Sequence, residues 1–267
     1  MEEKKRINFD NLMEEVIDRE LCIKCGACVD FCQNQQMGAI DMCGCDENIP
    51  IWIDYDRCFE CGICYFICPQ TQEVNAEVRD DFGWSPLVGP YREVTFTRAV
   101  EPEIRSAAAD GGIVTAILAY MLESNLVDGA IVARNSGLFN REPYIATTRQ
   151  ELIEAAGTGY GDKTPAAPGS EFSTFVPILP LVRMFAAKRA SKLAVVGTPC
   201  QIKALRKMQV MGQIPADIIY FTIGLFCMQS FRFENLLEKD FIKKHNIRPE
   251  DISGINMKED FRIELKS

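Results

Sequence analysis

The sequence predicts two domains of different classes, a small α+β domain followed by a larger α/β domain. Eight of the twelve cysteines form two similar runs within residues 22–68, and no such run occurs elsewhere in the sequence. Residues 71–89 lose this pattern and become rich in charge, glycine and proline, as is typical of a domain boundary. From there on, strand-like and helix-like segments alternate. We therefore expect domains at residues 1–80 and 94–267, joined by a linker at 81–93.

Composition and charge exclude several classes of protein. Of the 267 residues, 47% are hydrophobic and 25% are charged, as expected for a globular protein with a sizeable core. The net charge of -9 argues against nucleic-acid binding, which requires a basic face. No signal peptide or long apolar stretch is recognisable, so we expect a cytoplasmic protein without a membrane span, although peripheral membrane association stays open. The acidic segment 1–18 is expected to be a solvated lead-in.

The second cysteine run has the spacing that wraps a cubane iron–sulfur cluster. It reads Cys-x-x-Cys-x-x-Cys-x-x-x-Cys-Pro and ends at Pro69, and the first run repeats it except that Gln33 replaces the proline. A glycine follows the second cysteine of each run, at Gly26 and Gly62, and allows a tight backbone path around a cluster. In two-cluster ferredoxins, the fourth cysteine of each run crosses to the other cluster. One [4Fe-4S] cluster is therefore expected to take Cys22, Cys25, Cys28 and Cys68, and the other Cys58, Cys61, Cys64 and Cys32.

Zinc and disulfides are the alternative uses of these cysteines. Zinc sites use two separated Cys-x-x-Cys pairs, whereas each run here supplies a third and a fourth cysteine, so zinc is disfavoured. Disulfide scaffolds belong to short secreted chains, so we expect reduced thiols and a reducing compartment. Cys43 and Cys45 fit neither run. Extra ligands or a redox pair stay open for them, but an insertion loop with incidental thiols is the simpler interpretation.

The α/β domain is expected to contain a largely central sheet covered by helices. Its strands are predicted at residues 94–96, 129–133, 193–196 and 218–225, in addition to a short edge strand at 49–53 in the first domain. Its helices are predicted at residues 112–122, 150–156, 175–187, 201–208 and 234–245. His245, the only histidine, is interpreted as a solvated residue at a helix end.

Two glycine-rich junctions have features of a phosphate site. Asp110, Gly111 and Gly112 open a helix that continues through Thr115, and a helix start offers N–H groups and a positive dipole end. A helix start capped by the aspartate is the simpler alternative. Residues 157–161 form a glycine-rich loop after a helix rather than a strand, so they are not the dinucleotide-binding fingerprint, and a mobile loop is their alternative reading. No phosphate-binding loop of the nucleotide hydrolases is present in the sequence.

Two further cysteines are predicted to lie at the ends of strands. Thr198, Pro199 and Cys200 follow a buried strand and begin a helix, where a thiolate would be stabilised. Cys227 ends the next strand, so the two sulfurs would lie near each other if the strands are neighbours. The alternative is that each cysteine is a small buried hydrophobe.

These motifs resemble the beta subunit family of coenzyme F420-reducing hydrogenase and dehydrogenase. The resemblance rests on residues 103–105, 110–115, 198–201 and 225–227 and covers residues 94–267, while the cysteine runs resemble a ferredoxin domain fused to some members. It implies a two-cluster ferredoxin-like α+β domain followed by an α/β flavin-binding domain. It also implies FAD beside a cluster, hydride exchange with coenzyme F420, and metabolism of the methanogenic type.

The resemblance also assigns individual residues. Cys200 and Cys227 match cysteines that in the family ligate a third [4Fe-4S] cluster beside the flavin. Family segments around the FAD match Asp110, Gly111, Gly112, Thr115, Gly157, Thr158, Thr198 and Pro199. The family continues past the equivalent of Ser267 with another paired cysteine motif. We therefore expect that the chain is C-terminally incomplete relative to the family, or that the third cluster takes other ligands or is absent.

The expected function is that of a redox subunit in a hetero-oligomer. Flavin chemistry would connect hydride exchange to single electrons on the clusters, so no side chain is assigned as a catalytic acid or base. The expected partner is a hydrogenase, formate dehydrogenase, heterodisulfide reductase or membrane dehydrogenase complex. An electron-transfer adaptor without its own substrate, and a related reductase acting on sulfite or a chlorophyll-type ring, are the alternatives. Basic residues that could receive the acidic tail of coenzyme F420 are Lys188, Arg189, Lys192, Lys203, Arg206 and Lys207.

Overall fold

The computed structural model describes residues 6–43, 49–84, 89–137, 140–157, 179, 181–182, 191–213, 216–227, 243–246, 248, 254–257 and 263–266. These residues form two compact units. The first contains the described parts of residues 1–95, 177–190 and 197–219, and the second those of residues 96–176, 191–196 and 220–267. Residues 197–219 therefore belong with the cysteine-rich region, although they follow a strand of the second unit.

The cysteine-rich region of the first unit combines short helices with one small sheet. Its elements are α1 (Phe9–Leu12), a π-helical segment (Met13–Ile17), α2 (Ala27–Asn34), β1 (Ile40–Met42), β2 (Pro50–Trp52), a 3-10 turn (Tyr55–Arg57), α3 (Ile63–Phe66) and α4 (Asn75–Asp81). β1 and β2 pair antiparallel, with Ile40 opposite Trp52. This pairing confirms the edge strand predicted at residues 49–53.

Residues 9–17 contribute to the core of this unit. Phe9, Leu12 and Val16 recur at helical spacing and are at most 3% exposed. They pack in one hydrophobic cluster with residues of α2 and β1, including Ile40. The expected solvated lead-in at residues 1–18 is therefore wrong for its described part, because an apolar helical face outweighs the acidic composition.

The second unit is built on a four-stranded mixed sheet in the order β4-β3-β5-β6. These strands are β3 (Gly129–Gly137), β4 (Asn140–Ala146), β5 (Leu193–Gly197) and β6 (Ile219–Gly224). β3 runs antiparallel to β4 and parallel to β5. The strands predicted at 129–133, 193–196 and 218–225 are confirmed, whereas β4 was not anticipated. No strand forms at residues 94–96, which have no regular secondary structure and no strand partner among the described residues, and Phe96 is fully exposed.

The helices between residues 102 and 154 belong to this unit, and side chains from them pack against the sheet. They are α5 (Pro102–Ala107), α6 (Ile113–Glu123) and α7 (Arg149–Glu154), and Leu118 and Met121 of α6 pack with Ala130 and Val132 of β3. The helices predicted at 112–122 and 150–156 are confirmed within a few residues. Those predicted at 175–187 and 234–245 lie almost entirely outside the described residues. In the described part of the chain, no helix is long and apolar enough to cross a membrane.

Helix α8 (Pro199–Val210) follows β5 and confirms the helix predicted at 201–208. It belongs to the first unit, where it packs against α4. A short α9 (Lys243–His245) ends at the exposed His245, as the sequence indicated, and the hairpin strands β7 (Gly254–Met257) and β8 (Ile263–Lys266) pair antiparallel. The packing of α8 is what brings later residues of the chain to the cysteine runs.

Cys43 departs from the expectation of reduced thiols throughout. It is buried and disulfide-bonded. The other described cysteines are not disulfide-bonded. Cys43 belongs to neither of the two runs, so its thiol is not needed by either predicted cluster.

Candidate iron–sulfur and cofactor site

The first cysteine cavity is lined by Cys22, Cys25, Cys28 and Cys68. Apolar residues of the N-terminal helices, including Leu12, close one side of it. Cys68 comes from the second run and joins three cysteines of the first. The structure thus brings together the four residues that the spacing assigned to one cluster.

The second cysteine cavity is lined by Cys32, Cys58, Cys61 and Cys64. Its apolar wall is formed by aromatic residues that hold each other in place. Phe9 and Trp52 meet edge to face at 5.0 Å between ring centroids, and the Trp52 Nε1–H donates to Asp10 at 2.9 Å. Cys32 here joins three cysteines of the other run, so both fourth cysteines cross.

The loops of the two runs have the same backbone conformation. Lys24 and Gly26 have φ values of 57° and 77°, and Glu60 and Gly62 have values of 51° and 71°. Only glycine adopts this left-handed region without strain. Space is also short, because a Cβ on Gly62 would lie 3.0 Å from the Ile7 carbonyl oxygen and 3.0 Å from the Phe66 ring. The repeated glycine therefore shapes a repeated loop.

Backbone N–H groups point at the sulfurs from within these loops. The Glu60 N–H donates to the Cys58 Sγ at 3.4 Å, and the Lys24 N–H makes the corresponding bond to Cys22, which lowers the pKa of that thiol against the larger opposite effect of burial. Such N–H groups stabilise negative charge on sulfur. The two loops thus repeat this bond as well as the backbone turns.

Burial makes a bare thiolate unfavourable in both cavities. It raises the pKa of Cys25 and Cys28 strongly, and neighbouring thiolates raise both further. It raises the pKa of Cys64 to about 12, with Cys61 as the next cause. Binding of thiolates to positively charged iron removes this penalty. Four sulfur donors around each cavity therefore fit a cubane cluster as a donor set.

A single metal ion would need a tighter arrangement. In the part of the chain that the structure describes, no three His, Cys, Asp or Glu side chains are grouped so that they could hold one metal ion. A cubane differs because each of its four irons takes its own thiolate, which keeps the thiolates apart.

Lysines of α8 contact the turn that follows Cys68. The Lys207 Nζ donates to the Cys68 carbonyl at 2.7 Å, to the Thr71 carbonyl at 2.9 Å and to the Thr71 Oγ1 at 3.2 Å. The Lys203 Nζ donates to the Pro69 carbonyl at 2.7 Å. Burial, followed by the Lys203 charge, lowers the pKa of Lys207 to about 8. These contacts join α8 to the first cysteine cavity.

Among the described basic residues considered for the acidic tail of coenzyme F420, the structure contradicts that role for Lys207, whereas Lys203 and Arg206 stay partly exposed. Lys207 is fully buried, Lys203 is bound to the Pro69 carbonyl, and the Arg206 guanidinium lies over the Phe82 ring at 4.5 Å. Lys192 lies 5.4 Å from the Tyr220 ring centroid, and residues 188–189 lie outside the described residues. Sequence reasoning missed the lysine contacts because they join residues more than 130 positions apart.

Cys200 lies in the first turn of α8, as the sequence predicted. Thr198 is the N-cap residue, its N–H donates to Gln201 Oε1 at 2.9 Å, and its Oγ1 lies 3.0 Å from the Cys200 Sγ. Burial is the main cause that raises the pKa of Cys25, and the charge of Cys200 makes a smaller contribution in the same direction. Cys200 is not among the residues that line the first cysteine cavity.

Cys227 follows β6, which neighbours β5 in the sheet, and is exposed. The strands that precede Cys200 and Cys227 are therefore neighbours, which is the arrangement that the sequence analysis required for the two sulfurs to lie near each other. Cys227 belongs to the second unit and Cys200 to the first. The third cluster stays a prediction.

The glycines before α6 are explained by local packing. Gly112, with φ of 74°, is the N-cap residue, so the expected cap by Asp110 is wrong; Asp110 is exposed at the preceding bend. A Cβ on Gly112 would lie 3.0 Å from Ile104 Cγ2, and one on Gly111 would lie 3.2 Å from Arg98 Cβ. Among the described residues, no side chain caps α6, so the N–H groups of its first turn could serve another acceptor.

Arg141 anchors the start of the predicted glycine-rich loop. Its guanidinium donates to the carbonyl oxygens of Gly157, Ala133 and Ala155, the last at 3.1 Å. Thr115 is buried within α6. Thr158 and the rest of the loop lie outside the described residues. Among the predicted flavin residues, the structure thus describes Asp110, Gly111, Gly112, Thr115, Gly157, Thr198 and Pro199.

The cysteine cavities and the mixed sheet define an iron–sulfur protein of the ferredoxin type joined to an α/β domain. Two 4Fe-4S binding domain models match residues 15–35 and 55–76. The models for the N-terminal and C-terminal parts of the coenzyme F420 hydrogenase/dehydrogenase beta subunit match residues 94–168 and 190–267. The chain belongs to this beta subunit family, and the resemblance drawn from the sequence motifs is confirmed.

Characterised relatives place this family among redox enzymes. The coenzyme F420 hydrogenase subunit beta of Methanothermobacter thermautotrophicus is 36% identical over 155 residues, which is 56% of this chain and 50% of the relative. The coenzyme F420-dependent sulfite reductase of Methanocaldococcus jannaschii is 26% identical over 260 residues, which is 92% of this chain and 36% of the relative. The chain thus spans about half the length of the hydrogenase subunit that it matches.

A solved structure has a related fold. A chain of the F420-reducing [NiFe] hydrogenase complex from Methanosarcina barkeri matches with a TM-score of 0.51 and 25% sequence identity. The match covers 68% of this chain and 62% of that chain. It supports the α/β domain with a mixed sheet.

Proposed function

We propose that this chain is an iron–sulfur flavoprotein subunit that exchanges hydride with coenzyme F420 and relays single electrons through two [4Fe-4S] clusters. The observation that carries the proposal is the crossed grouping of eight cysteines around two cavities, in a chain whose residues 94–168 and 190–267 match the beta subunit family. A flavin supplies the step between a two-electron hydride carrier and one-electron clusters when it is bound.

The residues of the chain would act by binding and positioning. Eight cysteines hold the clusters, and backbone N–H groups such as that of Glu60 support the sulfur charge. Two described positions support an FAD site. One is the start of α6, which no described side chain caps, and the other is Gly157, which follows α7 and whose carbonyl oxygen accepts a hydrogen bond from Arg141. FMN is the competing flavin. No side chain is given an acid or base role.

The redox partner is proposed to be a further subunit of a coenzyme F420 enzyme. The relatives include subunits of such enzymes, and the hydrogenase structure is a complex. Hydrogenase, formate dehydrogenase, heterodisulfide reductase and membrane dehydrogenase complexes are the candidate partners. The chain itself would then contribute the electron path rather than the partner's chemistry.

A second candidate is the electron-input part of a reductase for another acceptor, such as sulfite. It is favoured by the match to the sulfite reductase, which extends over 92% of this chain and so includes both units. In that case the hydride step would be the same and the final acceptor would differ.

The test is anaerobic purification and reconstitution of the full chain with iron, sulfide and flavin. We expect about eight irons per chain from two cubane clusters, or about twelve if a third forms. A flavin should be released on denaturation, and the visible absorption of coenzyme F420 should bleach with a low-potential electron donor. Iron without any bound flavin would instead support a simple electron-transfer adaptor.

A further inference from the structure

Lys207 is a buried cation for which electron relay by itself gives no role. It is 0% exposed, although lysine is almost never fully buried unless it is paired with an opposite charge. All three of its ammonium hydrogens are used, by the Cys68 carbonyl, the Thr71 carbonyl and the Thr71 hydroxyl. Among the described residues, no carboxylate lies within salt-bridge distance of its Nζ.

Lys207 makes its hydrogen bonds beside one of the two cysteine cavities only. Its acceptors belong to Cys68, which lines the first cysteine cavity, and to the turn after it. Lys203, one helical turn earlier on α8, binds Pro69 in the same turn. The second cysteine cavity receives no contact from either lysine in the described residues.

A fixed cation beside a cluster favours the state with more negative charge. A cubane held by four thiolates gains one negative charge when it takes up one electron, and no bond is made or broken. Net charge and hydrogen bonding are among the factors that set cluster potentials. Glu73 and Glu77 act on Lys207 from further away and offset part of its charge.

We propose that Lys207, supported by Lys203, is a positioning residue that raises the reduction potential of the cluster at Cys22, Cys25, Cys28 and Cys68 above that of the other cluster. The cluster beside α8 is then the preferred electron acceptor of the pair. The proposal rests on the proposed function only in requiring that both clusters form.

The test compares single-charge variants of the full reconstituted chain. Lys207→Met keeps the length and apolar stem of the side chain, Lys207→Arg keeps the charge, and Lys203→Met removes the supporting charge. Lys192→Met removes a charge in the second unit and is the matched control. Iron is counted first, and EPR-monitored titration with dithionite then gives the two cluster potentials without use of flavin or coenzyme.

We expect Lys207→Met to keep its iron and to lower one potential, not both, by a factor of about ten in the reduction equilibrium, which is about 59 mV for one electron. Lys203→Met should give a smaller shift of the same wave, and Lys207→Arg and Lys192→Met should leave both potentials near the wild-type values. Two unshifted waves, equal shifts of both waves, or loss of iron from Lys207→Met would overturn the proposal. Wild-type chain without iron would overturn the proposed function as well, so the two failures are distinguishable.

Discussion

The two cysteine cavities share their local design and differ in their surroundings. Lys24 and Gly26 in one loop, and Glu60 and Gly62 in the other, adopt the same left-handed backbone conformation. In each cavity, three cysteines of one run are joined by the fourth cysteine of the other. The repeated sequence therefore produces two equivalent sets of thiol donors.

The surroundings make the two cavities unequal. At the first cavity, Cys25 and Cys28 are each 8% exposed, and α8 presents two lysines to the turn after Cys68. At the second cavity, Cys61 is exposed and the adjacent Phe59 side chain is 76% exposed. A local repeat thus sets the ligands, whereas an element from far along the chain places two lysines beside one cavity only.

The largest test of this comparison addresses the crossing itself. Cys68→Ser should remove about four of eight irons, because it empties the first cavity. Adding Cys22→Ser should cost no further iron, whereas adding Cys58→Ser should remove the other cluster. If Cys68 instead served its own run, Cys58→Ser would add no loss and Cys22→Ser would. Iron per chain, measured after identical anaerobic reconstitution, decides between the two patterns.

The second test breaks one loop and not the other. Gly62→Ala should lower the free energy of unfolding by about 2 kcal/mol or more, because it adds left-handed strain and a Cβ contact with the Ile7 carbonyl at 3.0 Å. Gly212→Ala is the matched control, since Gly212 has a φ of 63° and no atom within 4 Å of the new Cβ. Its loss should be about 1 kcal/mol. Equal losses in urea unfolding would mean that close packing at Gly62 has no energetic effect.

The third test addresses the turn that follows Cys68 of the first cavity and that the lysines of α8 bind. Thr71→Val removes one acceptor of Lys207 and the hydroxyl bond to the Tyr65 carbonyl, so we expect a loss of about 1 kcal/mol in unfolding free energy. The exposed Thr95→Val serves as the control and should change it by less than about 0.5 kcal/mol. A neutral Thr71→Val would show that the buried turn does not depend on this hydroxyl.

The smallest expected effect is at the open edge of the second cavity. Phe59→Ala should change the unfolding free energy by less than about 0.5 kcal/mol, because the ring is already in solvent. Phe31→Ala, at a residue that lines the same cavity and is 4% exposed, should cost about 3 kcal/mol or more. A large effect of Phe59→Ala in chemical denaturation would contradict the view of this edge as solvent-exposed.

The candidate site was partly readable from the sequence because iron–sulfur ligands occur at short, fixed spacing. The crossed grouping of the eight cysteines and the helix start at Cys200 needed no knowledge of distant contacts. The flavin residues were less readable, since Gly111 and Gly112 are explained by packing against Arg98 and Ile104. Such contacts do not leave a pattern in the local sequence.

The sequence by itself determined the local elements whose cause is local: the cysteine loops with their glycines, the apolar strands β3, β5 and β6, and the largely apolar helix α6. The tertiary structure decided three further features. The N-terminal helix became core because its apolar face found partners, residues 94–96 stayed unpaired because no described strand adjoins them, and the lysines of α8 became buried beside Cys68. Each depends on surfaces that meet only after folding, and the burial and charge that they create cannot be read from neighbouring residues in the chain.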